Sequence, residues 1–339
     1  MIGWLKNLNE ASRLTSVNEA SRISGIPAKA IEKDWWVTLT LKLLFNTPYA
    51  KYFAFKGGTS LSKAWELIDR FSEDIDISLN SEALGIAYVD KPSKTYVEQL
   101  RRAGCEFTSN ELKEALLVEF GNWNVPENLY SIEVEPLRAD MPDTDPQTIF
   151  VNFISLFDPN PYLPDRVKIE FSVRSLIEPF QKRSISSLLF NYFPNEIYIE
   201  EKFEVITIHP QRTLIEKILL LHEEYNRNEI LKMRTNRMSR HYYDLYQLSK
   251  LEHSLVILND NDFIEKTIEH RIYYSRLKRF DYSTLKRGYI RIIPNVDILK
   301  LLEQDYEAMK SEMIYGNPPS FEEIIQTMKY LQTEINNVS

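Results

Sequence analysis

The segment Phe55 to Leu79, FKGGTSLSKAWELIDRFSEDIDISL, constrains the fold of this chain more than any other stretch. A short apolar strand, Phe53-Ala54-Phe55, runs into a Gly-Gly-Thr-Ser turn, Thr59 to Ile68 carries a helical pattern, and Asp74 to Leu79 alternates polar and apolar residues as a strand with one buried face does. Residues i and i+2 of a strand share a face, so Asp74 and Asp76 aim at one point. Two adjacent carboxylates repel each other unless a cation neutralises them. A hard dication with oxygen ligands suits them, Mg²⁺ (or Mn²⁺) above all, and Mg²⁺ is the usual partner of nucleotide phosphates. The small-residue turn lets a backbone approach a phosphate and offer its N–H groups, and a helix N-terminus behind it favours an anion. Turn and paired acids together point to phosphoryl or nucleotidyl transfer. The bare pair of aspartates, taken alone, also fits an exposed strand edge.

The rest of the chain is mixed. Residues 8–47 read as helices broken at Gly25-Ile26-Pro27, and the second of them carries Trp35 and Trp36, whose plainest role is core packing. Val97 to Gly104 and Asn110 to Phe120 look helical. Tyr130 to Pro136, Ile149 to Phe157 and Arg166 to Val173 alternate like strands, with loops at Asp140 to Asp145 and Asp158 to Pro164. From Thr213 onward the pattern is mainly helical, without repeats, and a domain boundary is expected near residue 205.

Composition narrows the function classes. A chain of 339 residues, 43% hydrophobic and 27% charged, can bury a sizeable core. Its net charge of −8 means that any nucleic-acid contact must come from a local basic patch. The single cysteine, Cys105, rules out an internal disulfide and fits a reducing cytoplasm. No signal peptide is indicated, and no uncharged run approaches the roughly 20 residues that cross a bilayer, so no membrane partner is expected.

Four further features bear on chemistry. Glu170 sits on an apolar strand and either completes a three-carboxylate metal cluster with Asp74 and Asp76 or pairs with Lys168 or Arg174. Pro210 to Leu221, PQRTLIEKILLL, is a helix on which Lys217 is either an ordinary surface lysine or a point charge for phosphate. In RHYYDLYQL, Arg240 and Asp244 stand four apart and either form a surface ion pair or rim a nucleotide cleft. Arg271 to Arg291 interleaves Arg276, Lys278, Arg279, Lys286 and Arg287 with tyrosines, which suits RNA phosphates and unstacked bases as well as a solvated helix face; with Arg240, these five basic residues are the candidates for RNA contact. The five histidines have no zinc-type spacing.

GGTSLSK followed by RFSEDIDISL closely resembles the signature of the AbiEii/AbiGii-type toxin nucleotidyltransferases. IEKDWWVTLTLKLLF, PQRTLIEKILLLH, SRHYYDLYQL and the C-terminal stretch from Arg291 resemble further parts of that family in the same order. The resemblance implies an α+β fold: a polymerase-β-like nucleotidyltransferase core with a mixed sheet over residues 1–205, then a mainly helical C-terminal domain over 206–339 that contributes Lys217 and Asp244 to the cleft. It implies Mg²⁺-dependent transfer of a nucleoside monophosphate from an NTP, with the 3′ acceptor end of tRNA as the expected acceptor, translation blocked, a separately encoded antitoxin and a role in phage defence (abortive infection). A protein or small-molecule acceptor is the alternative, and a catalytically silent nucleotide binder is another. By position, Gly58, Thr59 and Ser60 would contact the triphosphate, with Lys56, Gly57 and Lys63 flanking them in the nucleotide site. Asp74 and Asp76 would bind metal, with Glu170 as third carboxylate. Lys217 would contact phosphate, and Asp244 would activate the attacking hydroxyl or position the nucleotide. His241 stands where many relatives carry an acid.

Overall fold

The structure, a computed structural model, describes residues 2–136, 145–160, 163–196, 198, 201–227, 233–251, 255–275, 277 and 280–337. The chain forms two compact units. The first comprises Met1–Trp65, Phe71–Tyr88 and Thr95–Ile208; the second comprises Glu66–Arg70, Val89–Lys94 and His209–Ser339.

The first unit is built on a seven-stranded mixed sheet. Its strands are β1 (Phe53–Lys56), β2 (Ile75–Leu79), β3 (Tyr130–Val134), β4 (Gln147–Phe153), β5 (Arg166–Ser172), β6 (Phe180–Ile185) and β7 (Phe203–Ile208), in the order β3-β4-β5-β2-β1-β7-β6. β1 pairs antiparallel with β2 and parallel with β7, while β2 pairs parallel with β5. The alternation in IDISL has its expected result: Ile75, Ile77 and Leu79 are buried in the core. The observed α+β architecture, a mixed sheet plus a helical region, agrees with the fold class expected from the motifs. β6 and β7 have no counterpart among the expected strands. β7 lies between β1 and the edge strand β6 and spans residue 205; the change of unit falls after Ile208.

Helices of this unit are α1 (Gly3–Asn7), α2 (Glu10–Ser24), α3 (Ala28–Leu44), α4 (Gly57–Lys63), α5 (Lys94–Phe107), α6 (Lys113–Asn122) and α7 (Leu188–Tyr192). Helix α3 is buried on nearly every side, 14 of its 17 residues being buried, which is why no single apolar stripe marks it. Trp35 and Trp36 are each 1% exposed, and Trp36 stacks on Phe153 of β4 with ring centroids 5.1 Å apart. Helix α4 starts two residues earlier than its pattern suggests and stops at Lys63 rather than Ile68. After Trp65, whose indole donates to the Ile208 carbonyl, the chain takes a positive φ of 54° at Glu66 and passes into the second unit.

The second unit is mainly helical: α8 (Pro210–Tyr225), α9 (Ser239–Ser249), α10 (Asn261–Tyr274), α11 (Val296–Glu312) and α12 (Phe321–Asn336). α9 packs against α8, α11 and α12. Pro210 opens α8 in the first-turn position where its missing N–H costs nothing, and His209 caps it by accepting from the Gln211 N–H. Ser320 and Glu323 form a reciprocal capping box on α12. Residues 66–70 are tied into this unit by the Arg70–Ile314 bridge and by the Tyr315 N–H donating to the Asp69 carbonyl.

Candidate active site

Strand register lines up charged groups across the first unit's sheet. Lys56 of β1 pairs with Asp76 of β2, Asp76 pairs with Glu170 of β5, and Glu170 pairs with Thr148 of β4. Residues opposite each other in register share a face, with neighbouring strands roughly 5 Å apart. Lys56, Asp76 and Glu170 therefore form one row, and Asp74 immediately precedes β2, near enough for its charge to act on Lys168. Lys168 lies two before Glu170 on the same face, and its Nζ donates to Glu170 Oε1 at 2.7 Å. Burial works against the Lys168 charge, but the hydrogen bond to Glu170 and the fields of Glu170, Asp74 and Asp76 outweigh it and hold its pKa above the ordinary lysine value. Both aspartates thus act on one neighbouring cation. Lys56 Nζ is turned to Ser175 Oγ.

The turn is fitted to this row. A Cβ on Gly57 would stand 2.0 Å from Asp76 Oδ2, and Gly57 has φ +77°. No other residue type fits there, because the first glycine's missing side chain is the space the Asp76 carboxylate occupies. Thr59 Oγ1 donates to the Asp74 carbonyl at 2.5 Å and lies 2.9 Å from Ser72 Oγ, while Ser60 Oγ donates to the Gly57 carbonyl. Both residues are fully buried. Of the two hydroxyls expected to contact triphosphate, that of Thr59 staples the turn to Asp74, and that of Ser60 bonds back to Gly57 within the first turn of α4. Lys63 is likewise committed elsewhere: its ammonium pairs with Asp34 Oδ1 of α3, both side chains being 7% exposed. Asp34 also accepts from the Leu188 N–H, and on the same helix Lys33 pairs with Glu73, one residue before Asp74, at 2.6 Å.

A second constellation belongs to the second unit. Asp244 of α9 is fully buried and accepts from Arg70 Nε at 2.7 Å and Nη2 at 2.9 Å, and from Lys217 of α8 at 2.9 Å. Lys217 is 8% exposed, so the surface-lysine reading does not hold, and Asp244 is not in a surface pair with Arg240. Lys217 Nζ also lies 3.2 Å from Nδ1 of His241, the residue that stands in place of an acid. Burial raises the Asp244 carboxyl, but Arg70 and Lys217 together overcome it and hold the group below the ordinary carboxylate range. Lys217 is pushed down, first by burial and then by Arg70 sharing the same carboxylate. His241 is pushed well down by burial and by Lys217 beside it, so it is neutral and accepts from the ammonium. An ammonium has three N–H groups, and two of them have partners among the described residues. Arg70, in the RFSEDID stretch, was not among the expected site residues. Its sequence signal was a cation four residues ahead of Asp74; its partner came from 174 residues away.

The basic stretch 271–291 divides differently. Arg276, Lys278 and Arg279 lie outside the described residues. Arg271 pairs with Glu223 at 2.6 Å, and Arg287 donates to the carbonyls of Leu258 and Ile335. Arg287 therefore pins loop to helix, contrary to its expected place among RNA contacts. Lys286 lies 4.4 Å from the ring centre of Tyr289, itself 57% exposed. Arg240 is half-buried beside Lys217 and His241, and its charge acts on both.

A family model described as the nucleotidyl transferase AbiEii toxin of type IV toxin–antitoxin systems matches residues 41–327. The chain belongs to the AbiEii family. The match spans both constellations, from ahead of the glycine turn to within α12, and implies nucleotidyltransferase activity with an NTP substrate and a cognate antitoxin. No curated protein matches the chain. Among the described residues no helix is long and apolar enough to cross a membrane.

Oxygen donors on a strand, with a glycine cradle that only the Asp76 carboxylate fills, fit a hard dication bound through one or two carboxylates and completed by substrate phosphates. Among the described residues no group of three or more His, Cys, Asp or Glu side chains is arranged to enclose an ion. Glu170, expected as the third ligand, is turned to Lys168.

Proposed function

We propose that this protein is a toxin that transfers a nucleoside monophosphate from an NTP to the 3′ end of tRNA and so blocks translation, in phage defence and under control of a separately encoded antitoxin. The observation that carries the catalytic part is the register-locked row of Lys56, Asp76 and Glu170 with Gly57 packed on Asp76. Asp74 and Asp76 would hold Mg²⁺. The chemistry a bound Mg²⁺ supplies is charge neutralisation of the triphosphate and orientation of the attacking hydroxyl. The acceptor hydroxyl attacks the α-phosphorus, the bond to the β-phosphate oxygen breaks, pyrophosphate leaves and the hydroxyl proton passes to solvent. The backbone N–H groups of Gly57, Gly58 and the start of α4 contact the phosphates. By the resemblance Lys217 would contact phosphate, and Asp244, with both oxygens engaged, positions Lys217 rather than acting as a base. The family supports the reaction class. The choice of tRNA rests on the resemblance to the family, and the exposed Tyr289 with Lys286 over its ring is compatible with an RNA contact.

The test is to incubate the protein with each labelled NTP and either total tRNA or protein lysate. Label is expected on tRNA, to be abolished by chelator, and to fall by about 100-fold or more in Asp76→Asn and in Lys217→Met. Label on protein alone would overturn the tRNA assignment, and undiminished transfer by Asp76→Asn would overturn the catalytic one.

A further inference from the structure

Lys168 lies on the sheet row, and the proposed reaction assigns it no part. Lys168 reaches Glu170 across two positions of β5, and the register puts Glu170 directly beside Asp76. Three carboxylates on two adjacent strands would make a strong dication site. An ammonium already bound to the third changes that, because it occupies Glu170 Oε1, draws the carboxylate charge toward itself and opposes a second cation on the row. The Lys168 side chain is 35% exposed and can swing into solvent when displaced, so the competition is reversible.

We propose that Lys168 competes with the divalent cation for Glu170 and keeps metal affinity at the Asp74–Asp76 pair low, so that metal is retained only when a nucleotide adds its own phosphate oxygens. This rests on the reading that Asp74 and Asp76 hold a metal. Lys168 is a positioning residue here: it acts through Glu170.

The experiment is a Mn²⁺ titration of the full chain followed by electron paramagnetic resonance, without nucleotide, for wild type, Lys168→Met, Glu170→Gln and the double variant, with Lys168→Gln as a second replacement and melting curves as a check on folding. Lys168→Met is expected to bind Mn²⁺ about three- to tenfold tighter, the worth of a partly solvated charge-assisted hydrogen bond. The gain is expected to vanish in the double variant, which has no carboxylate at 170 to recruit. Adding an NTP analogue is expected to tighten Mn²⁺ binding more in wild type than in Lys168→Met. If both lysine replacements bind Mn²⁺ no tighter than wild type while Asp76→Asn loses binding, the competition is wrong and the metal reading stands. If wild type and Lys168→Met both fail to bind Mn²⁺, with or without nucleotide, the metal reading falls and the competition with it.

Discussion

Gly57 and Asp76 constrain each other closely. A methyl group at 57 would meet Asp76 Oδ2 at 2.0 Å and would hold a positive φ that L residues avoid. Gly85 also has a positive φ, of 67°, but has open space where its Cβ would be. Gly85→Ala is therefore expected to cost only about 1 kcal/mol of backbone strain. Gly57→Ala is expected to cost more and to displace the Asp76 carboxylate. Urea unfolding of the two variants side by side, with Mn²⁺ affinity as second readout, checks this; equal losses and unchanged Mn²⁺ binding would refute it. The sequence marks this turn as a place of close approach. It does not say that the first glycine yields its space to the acid. That depends on the pairing of Lys56 with Asp76, a long-range fact of strand register.

At the scale of an element, helix α3 is the one whose sequence is most easily misjudged. Its tryptophans read as core, and they are. Between them and the helix start, Glu32, Lys33 and Asp34 are 1%, 2% and 6% exposed, and each anchors a different distant segment. Glu32 accepts from Ser155 and Leu156, Lys33 holds Glu73 and the Pro164 carbonyl, and Asp34 holds Lys63 and Leu188. The helix thereby supports the acid strand and the end of α4 together. Asp34→Ala leaves the Lys63 ammonium buried and unpaired, and is expected to destabilise the protein by roughly 3–5 kcal/mol. Asp34→Ala/Lys63→Met is expected to recover much of that loss, because an apolar pair carries no stranded charge. Chemical denaturation of the four members of this cycle measures the coupling. Hydrophobic periodicity could not reveal these anchors, since it weighs only apolar spacing, and the partners lie up to 154 residues away. β6 escaped for a related reason: it is an edge strand whose first residues are exposed, so it has no clear alternation.

For the molecule as a whole, histidines whose pKa is lowered in the fold contribute to the response to acid. His222 accepts from the Arg291 N–H at 2.9 Å, and burial lowers its pKa to about 4; His209 and His241 are pushed down as well, chiefly by burial. A histidine kept neutral in the fold is protonated first in the unfolded chain. The unfolded state therefore binds more protons below the ordinary value near 6.5, and stability falls as pH drops from there toward about 4. His222 alone accounts for on the order of 3 kcal/mol across that window. Asp244, held below the ordinary carboxylate range, contributes stability that persists through this window and is lost only at lower pH. Urea unfolding at steps between pH 7 and 4 is expected to show a falling stability whose slope is about one proton smaller in His222→Gln. An unchanged slope would mean that the imidazole is already charged in the fold. By itself, the sequence determined the family, the reaction class and the position of the acid strand, because these are written in short motifs and in two-residue alternation, both local. Only the tertiary structure decided which charges serve one another: Lys63 with Asp34, Lys168 with Glu170, and Arg70 and Lys217 on Asp244. A buried charge must take its partner from whatever element packs against it, and that choice is made by the fold's register and burial, not by neighbours along the chain.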